Sequence, residues 1–176
     1  IKLAFAGTVT EHTGTLEISD AATTDITATD ITTINGTNTG TITVANAIDI
    51  NGSGSEVKAA FDAIDTNTGN ATANITGTDY TVAQLKAINN ATTGAIVLAT
   101  STNQALSGDA TDLAAALAGN INYTGNVTVT DNAYTITELV AINAGTTGDI
   151  TLNDAGVALS GTVANIKLAF AGTVTE

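Results

Sequence analysis

The sequence predicts an α/β or β solenoid, about six stacked coils of roughly 27 residues, each a strand plus a short helix, paired into three repeats of roughly 55 residues. Three observations predict it. The segment "IKLAFAGTVTE" stands at 1–11 and again, letter for letter, at 166–176, 165 residues later. Inside that span, "ITATDITTINGTNTGTITV" (26–44), "YTVAQLKAINNATTGAIVL" (80–98) and "YTITELVAINAGTTGDITL" (134–152) align at an offset of 54 without a gap. Six segments of the form Gly-x-φ-x-φ, φ being aliphatic or Ala, begin at Gly14, Gly40, Gly69, Gly94, Gly125 and Gly148. Self-similarity at such periods is how stacked repeat architectures show themselves. The whole chain, 1–176, reads as one segment, with units of roughly 1–56, 57–112 and 113–165, and 166–176 beginning the next copy.

Each glycine opens a strand because apolar residues alternate after it, the period of a pleated strand. The inward pairs are Leu16/Ile18, Ile42/Val44, Ala71/Ala73, Ile96/Leu98, Val127/Val129 and Ile150/Leu152; between them lie Glu17, Thr43, Thr72, Val97, Thr128 and Thr151, facing outward. Helical spacing precedes the strands at Val57/Phe61, Leu85/Ile88, Leu113/Leu117 and Leu139/Ile142. Ser55, Thr81 and Thr111 are the expected N-caps, and Thr135 with Glu138 forms a capping box. Helices of two or three turns are marginal alone in water and need packing to persist. The short apolar pieces 47–52, 105–108 and 158–161 are expected to be second strands of the longer coils.

The composition restricts function. Of 176 residues, 43% are hydrophobic but only 3% aromatic, and Pro, Cys, Met, Trp and Arg are absent, so the core is built from Ile, Leu, Val and Ala. Only Lys2, Lys58, Lys86 and Lys167 oppose 17 carboxylates, for a net charge of −13. Such a surface repels nucleic acid and anionic lipid. Without Cys there is no disulfide or thiol chemistry. No apolar run approaches the 18 or so residues of a membrane span, and no transmembrane segment is expected.

No catalytic, cofactor or metal residues are expected. His12 is the only histidine, too few for a zinc or copper cluster or for a nucleophile–base pair, and reads as an exposed turn residue. Asp20, Asp79, Asp131 and Asp154 stand at turns, where calcium, if it binds at all, is a weak surface ligand. "DTNTGN" (65–70) resembles half an EF-hand loop, but Thr76 stands where the closing Glu belongs. Asn35, Asn89 and Asn143 share one repeat position. They are either a row of cation ligands or side chains that satisfy the turn leaving each helix and stack on one another two coils apart; the second is the expectation. Tyr80 and Tyr134 are likewise equivalent, with Ile26 in the third unit, so they do not mark a unique aromatic site. Of the outward strand pairs only Thr41/Thr43 is Thr-x-Thr, which is poor material for an ice-binding array. Asn-x-Ser/Thr triplets at Asn35, Asn51, Asn70, Asn74, Asn90, Asn122 and Asn126 follow from the composition.

Stretches such as "AINNATTGAIVL", "YTGNVTVTD" and "ALSGDATDLAAAL" resemble the Thr/Asn/Asp/Gly-rich repeats of giant secreted bacterial proteins, among them cell-surface giants of marine cyanobacteria and large repeat adhesins. The chain departs from calcium-binding adhesin repeats in lacking their glycine nonapeptides. The resemblance implies export, an extracellular or cell-surface location, and a non-enzymatic role as spacer, filament or coat. Its partners would be neighbouring repeats or other copies of itself. The alternative is an adhesin or fibre-shaft module that binds glycan, surface or ice. A substitution such as Ile96→Asp would test the proposed strand register.

Overall fold

The computed structural model describes residues 11–99, 104–154 and 156–175, which form eleven strands and six helices. In chain order these are β1 (Leu16–Ile18), β2 (Asp25–Thr27), α1 (Ala28–Asn35), β3 (Ile42–Val44), β4 (Asp49–Gly52), α2 (Gly54–Asp62), β5 (Thr66–Asn67), β6 (Thr72–Ile75) and α3 (Val82–Ala91). There follow β7 (Ile96–Leu98), β8 (Leu106–Gly108), α4 (Ala110–Ala116), β9 (Val127–Val129), α5 (Ile136–Gly145), β10 (Ile150–Leu152), α6 (Val163–Ala169) and β11 (Val174–Thr175). The first copy of the duplicated segment falls, apart from Glu11, outside the described residues, as does Lys2. In the second copy the described residues, 166–175, comprise the end of α6, the turn after it and β11.

The helices pack in chain order, α1 on α2 and so on to α6. Their buried residues, including Ile31 and Ile34, Val57 and Phe61, Leu85 and Ile88, Leu113, Leu139 and Ile142, meet the inward strand residues in one mainly aliphatic core that also takes in, besides Phe61, three tyrosines, Tyr80, Tyr123 and Tyr134. The inward faces read from the alternation hold: Ile42, Val44, Ala71, Ala73, Val127 and Val129 are fully buried, and Ile96, Leu98, Ile150 and Leu152 nearly so. Only Leu16 stands half-buried, at the edge of its sheet.

The solenoid expectation is not met. All strand pairing is parallel, but the strands divide into three separate sheets, ordered β1-β3-β5, β2-β4-β6-β7 and β11-β10-β9-β8, and the molecule is an α/β fold. The six Gly-x-φ-x-φ strands do not form one ladder. They sit two by two, β1 and β3 in the first sheet, β6 and β7 in the second, β9 and β10 in the third. The reason lies in the additional short strands. Asp49–Gly52 takes β6 as its partner, leaving β3 with the two-residue β5, and Leu106–Gly108 in turn takes β9. A ladder needs only free N–H and C=O groups at the right spacing, so any extended piece in reach can take an edge. Between the second and third sheets, among the described residues, only the isolated bridge Ile96↔Ile121 continues the pairing. Of the three expected second strands, those at 47–52 and 105–108 exist within narrower bounds, whereas 158–161 forms none.

The expected caps need two corrections. Thr81 and Thr135 cap α3 and α5, each within a capping box, with Gln84 and Glu138 respectively. In α2, however, the cap is Ser53, boxed by Glu56, and in α4 it is Asp109. Ser55 and Thr111 lie two residues further in, within the first turn. Each true cap has extended backbone and places its side-chain oxygen on the N–H three residues later, which the inner residue, already helical, cannot do. Thr27 and Thr162 cap α1 and α6 in the same way.

Candidate functional site

Several polar side chains of this molecule reach the backbone of a neighbouring unit, and three of them form a buried series. Asn38, Thr92 and Thr146 are the buried polar residues among those described, and they share one repeat position, 54 residues apart. Thr92 Oγ1 donates to the Ala71 carbonyl at 2.6 Å and accepts from Gly94 N–H at 2.9 Å. Thr146 repeats this, donating to Gly125 O at 2.7 Å and accepting from Gly148 N–H at 3.0 Å. Asn38 does a related task with an amide, donating to Gly40 O at 2.6 Å while its Oδ1 lies 2.8 Å from His12 Nδ1. Each residue thus fastens the chain leaving a helix, Thr92 and Thr146 to the turn one half-unit earlier and Asn38 to His12. Thr-Thr-Gly at 92–94 and 146–148, against Asn-Thr-Gly at 38–40, was the available sequence signal, but Thr is so common here that it does not stand out.

The glycines that follow explain why no side chain is tolerated there. A Cβ on Gly40 would fall 2.1 Å from the Gly14 carbonyl oxygen, and one on Gly148 would fall 2.3 Å from that of Gly125. These glycines permit one backbone to lie directly on another, a role that arises from close approach rather than from φ.

In the Asn35, Asn89 and Asn143 series two amides satisfy backbone carbonyls where a helix ends, as read, but the helix is the next one rather than their own. Asn89 Nδ2 donates to Ala115 O at 2.8 Å, and Asn143 Nδ2 to Leu168 O at 2.7 Å. Each amide therefore reaches a C-terminal carbonyl of the next helix, the group of carbonyls that lack i+4 partners within a helix. Asn35 is exposed at the end of α1. A second contact crosses the helix row by charge: Lys86 of α3 is paired with Asp112 of α4, and the hydrogen bond and the carboxylate charge raise the lysine pKa. A third is the 2.7 Å bond from Thr111 Oγ1 to Glu138 Oε1, between α4 and α5. Partial burial pushes Glu138 up, but the bonds from Thr111 and Thr135 outweigh it and hold the carboxyl below its ordinary range. Glu56 is lowered by the Ser53 backbone N–H and hydroxyl.

Among the described residues no group of three or more His, Asp or Glu side chains is placed to hold a metal ion. Asp131 Oδ1 accepts from Ala110 N–H and Asp154 Oδ1 from Gly156 N–H; Asp20 and Asp79 are exposed. In "DTNTGN" the oxygens are engaged with the sheet, Asp65 Oδ2 with Ile42 N–H at 2.8 Å and Asn67 Oδ1 with Ala71 N–H at 3.0 Å. His12 is half-buried and bridges to Asn38 in parallel fashion, rather than standing exposed at a turn. Tyr80 and Tyr134 are buried; Tyr134 donates to Asp154 O at 2.6 Å. Tyr123 Oη lies 2.8 Å from both Gln104 O and Asn126 O, which compete for its one proton, and burial raises its pKa well beyond the usual phenol range. A cleft of about 270 Å³ between the turns after α3 and α4 is lined by neutral groups, among them Asn89, Thr93, Gly119 and Asn120, and offers nothing to perform acid–base or nucleophilic chemistry.

Most large apolar side chains are buried, and the exceptions concentrate in one place. Among the described residues, apart from Val97, the exposed ones are Val163, Ile166, Leu168 and Phe170, in α6 and at its C-cap. No helix among the described residues is long and apolar enough to cross a membrane. The chain matches no protein-family model, no curated protein and no solved structure.

Proposed function

We propose that this chain is a structural repeat of an extracellular filament, fibre or giant cell-surface protein, non-enzymatic, in which units pack one on the next. The observation that carries this reading is the use made of the polar side chains. Thr92, Thr146, Asn89, Asn143, Lys86 and Thr111 all reach from one half-unit to its neighbour. Such groups fix the distance and orientation of successive units and do not converge on a common point where a substrate could react. The exact 165-residue duplication is consistent with an array of such units. The acidic surface supports it as well, since like charge keeps long assemblies from clumping laterally. The location is tested by raising antibodies to the folded chain and applying them to intact and to permeabilised cells of the source organism. Labelling of intact cells is the expected result; labelling only after permeabilisation overturns the extracellular reading.

A further inference from the structure

We propose that Asn35 and Gly36 form a self-modifying site, where the Gly36 backbone nitrogen displaces ammonia from the Asn35 side chain and water converts the product to aspartate and isoaspartate. This goes beyond the structural reading above and does not depend on it. Asn-Gly is the dipeptide most open to such attack, because glycine has no Cβ to keep its nitrogen from the amide carbon. The sequence holds two such pairs, Asn35–Gly36 and Asn51–Gly52. The fold treats them differently.

Asn51 lies in β4, an inner strand between β2 and β6, and its Nδ2 donates to Asp25 Oδ1 and Asp49 O, both at 3.0 Å. Asn35 is the exposed last residue of α1, and among the described residues its amide meets no hydrogen-bond partner. That isolation has a cause in the next helix. Asn89 and Asn143, at the same repeat position, donate to Ala115 O and Leu168 O, each six residues after the cap of its helix. Four residues further on, the chain turns left-handed at Gly119 and Gly172, with φ of 74° and 101°. In α2 the matching carbonyl is that of Ala59 and the matching turn residue is Ala63. Ala63 stays right-handed and returns its own N–H to Ala59 O at 3.1 Å. Asn35 is thus left without the bond that holds its two counterparts.

The nucleophile is restrained by the last bond of α1, from Gly36 N–H to Thr32 O at 2.9 Å, and helix ends fray. When that turn opens, Gly36 N gives up its proton and attacks Asn35 Cγ. The N–Cγ bond forms, the Cγ–Nδ2 bond breaks, and Nδ2 leaves as ammonia with a proton in place of the one lost. Water then opens the cyclic imide at either carbonyl, giving aspartate or isoaspartate. Either product puts a carboxylate at the C-terminal end of α1, where the helix dipole disfavours it. Isoaspartate also lengthens the main chain by one carbon, three residues before the Asn38 that is fastened to His12.

The test is to incubate the full chain in warm, mildly alkaline buffer, with and without urea. Both pairs are followed by peptide mapping with mass spectrometry, and isoaspartate is read by enzymatic methylation. In the folded chain Asn35 is expected to lose its amide at least about tenfold faster than Asn51, whereas in urea the two rates converge. Gly36→Ala is accommodated, since the added carbon lies 3.5 Å from Thr32 O, and is expected to slow Asn35 about tenfold with an unchanged circular dichroism spectrum. Ala63→Gly, which gives α2 the turn residue of α4 and α6, is expected to slow Asn35 in the folded chain and leave its rate in urea unchanged. A folded chain in which Asn35 keeps its amide, or in which Asn51 keeps pace with it, overturns the proposal. So does an Ala63→Gly chain in which Asn35 reacts as fast as in the wild type.

Discussion

The helix row and the strands of this molecule respond differently to the same repeat. From α1 to α6 each helix packs on its successor in chain order, while the strands of the same units are divided among three sheets. Helix contacts are made by side chains at set distances from the cap, so a repeated sequence repeats the contact. Strand pairing is made by the backbone, which is the same in every residue, so short extended pieces such as Asp49–Gly52 and Leu106–Gly108 can intervene. Side-chain chemistry preserves the period; backbone chemistry is indifferent to it.

That contrast can be broken most severely in the strands. Ile96 is 1% exposed and its strand joins β6 on one side and Ile121 on the other. Ile96→Asp buries an unpaired charge at the junction of two sheets and is expected to cost roughly 3–5 kcal/mol, read as a lowered urea midpoint. If the junction were dispensable, the midpoint would hardly move and the far-UV spectrum would be native. Gly148→Ala comes next. The added methyl must push apart two backbones, and overpacking of this kind costs about 1–3 kcal/mol; a stability equal to wild type would show that the turns at Gly125 and Gly148 are not in contact.

Thr146→Val keeps the shape and removes the hydroxyl between Gly125 O and Gly148 N–H. The expected loss is about 1–2 kcal/mol, since two backbone groups lose a partner. The same change at the exposed neighbour Thr147 should move the midpoint by less than about 0.5 kcal/mol. The mildest test is pH. Glu56 and Glu138 have lowered carboxyl pKa values in the folded chain, so they contribute stability that is present above their ordinary value of 4.5 and lost as pH falls through the lower folded values. Urea midpoints should decline in that acid range, and less steeply in a Glu56→Gln, Glu138→Gln double variant. Equal slopes in the two chains would remove the capping carboxylates as the cause.

Much of the helix row was legible in the sequence, and the physical reason is plain. Leu85/Ile88 and Leu139/Ile142 carry the spacing of one helix face, and Thr81 and Thr135 are followed three residues later by Gln84 and Glu138, which reach back to the cap. Cap placement failed where two eligible residues lie close together: Ser53 and Ser55 differ only in backbone conformation, and Asp109 and Thr111 compete in the same way. The inward face of each strand was legible because alternation records burial. The sheet partner was not, because alternation says which face is buried and nothing of which edge is joined. Nor was the Asn89 and Asn143 contact, since a side chain that bonds a backbone carbonyl leaves no residue-type signature at its target: Ala115 and Leu168 serve equally.

One consequence concerns folding rather than form. The paired strand residues lie 21 to 26 residues apart, from Leu106↔Val127 to Leu16↔Ile42, all along the molecule. Every strand pairing among the described residues therefore closes a loop of nearly the same size, and the entropy of closure, which grows only with the logarithm of loop length, is nearly constant from sheet to sheet. Adding further units adds no closure harder than those already made. Folding rate follows mean contact separation, so a chain built this way can be lengthened without its slowest step becoming slower.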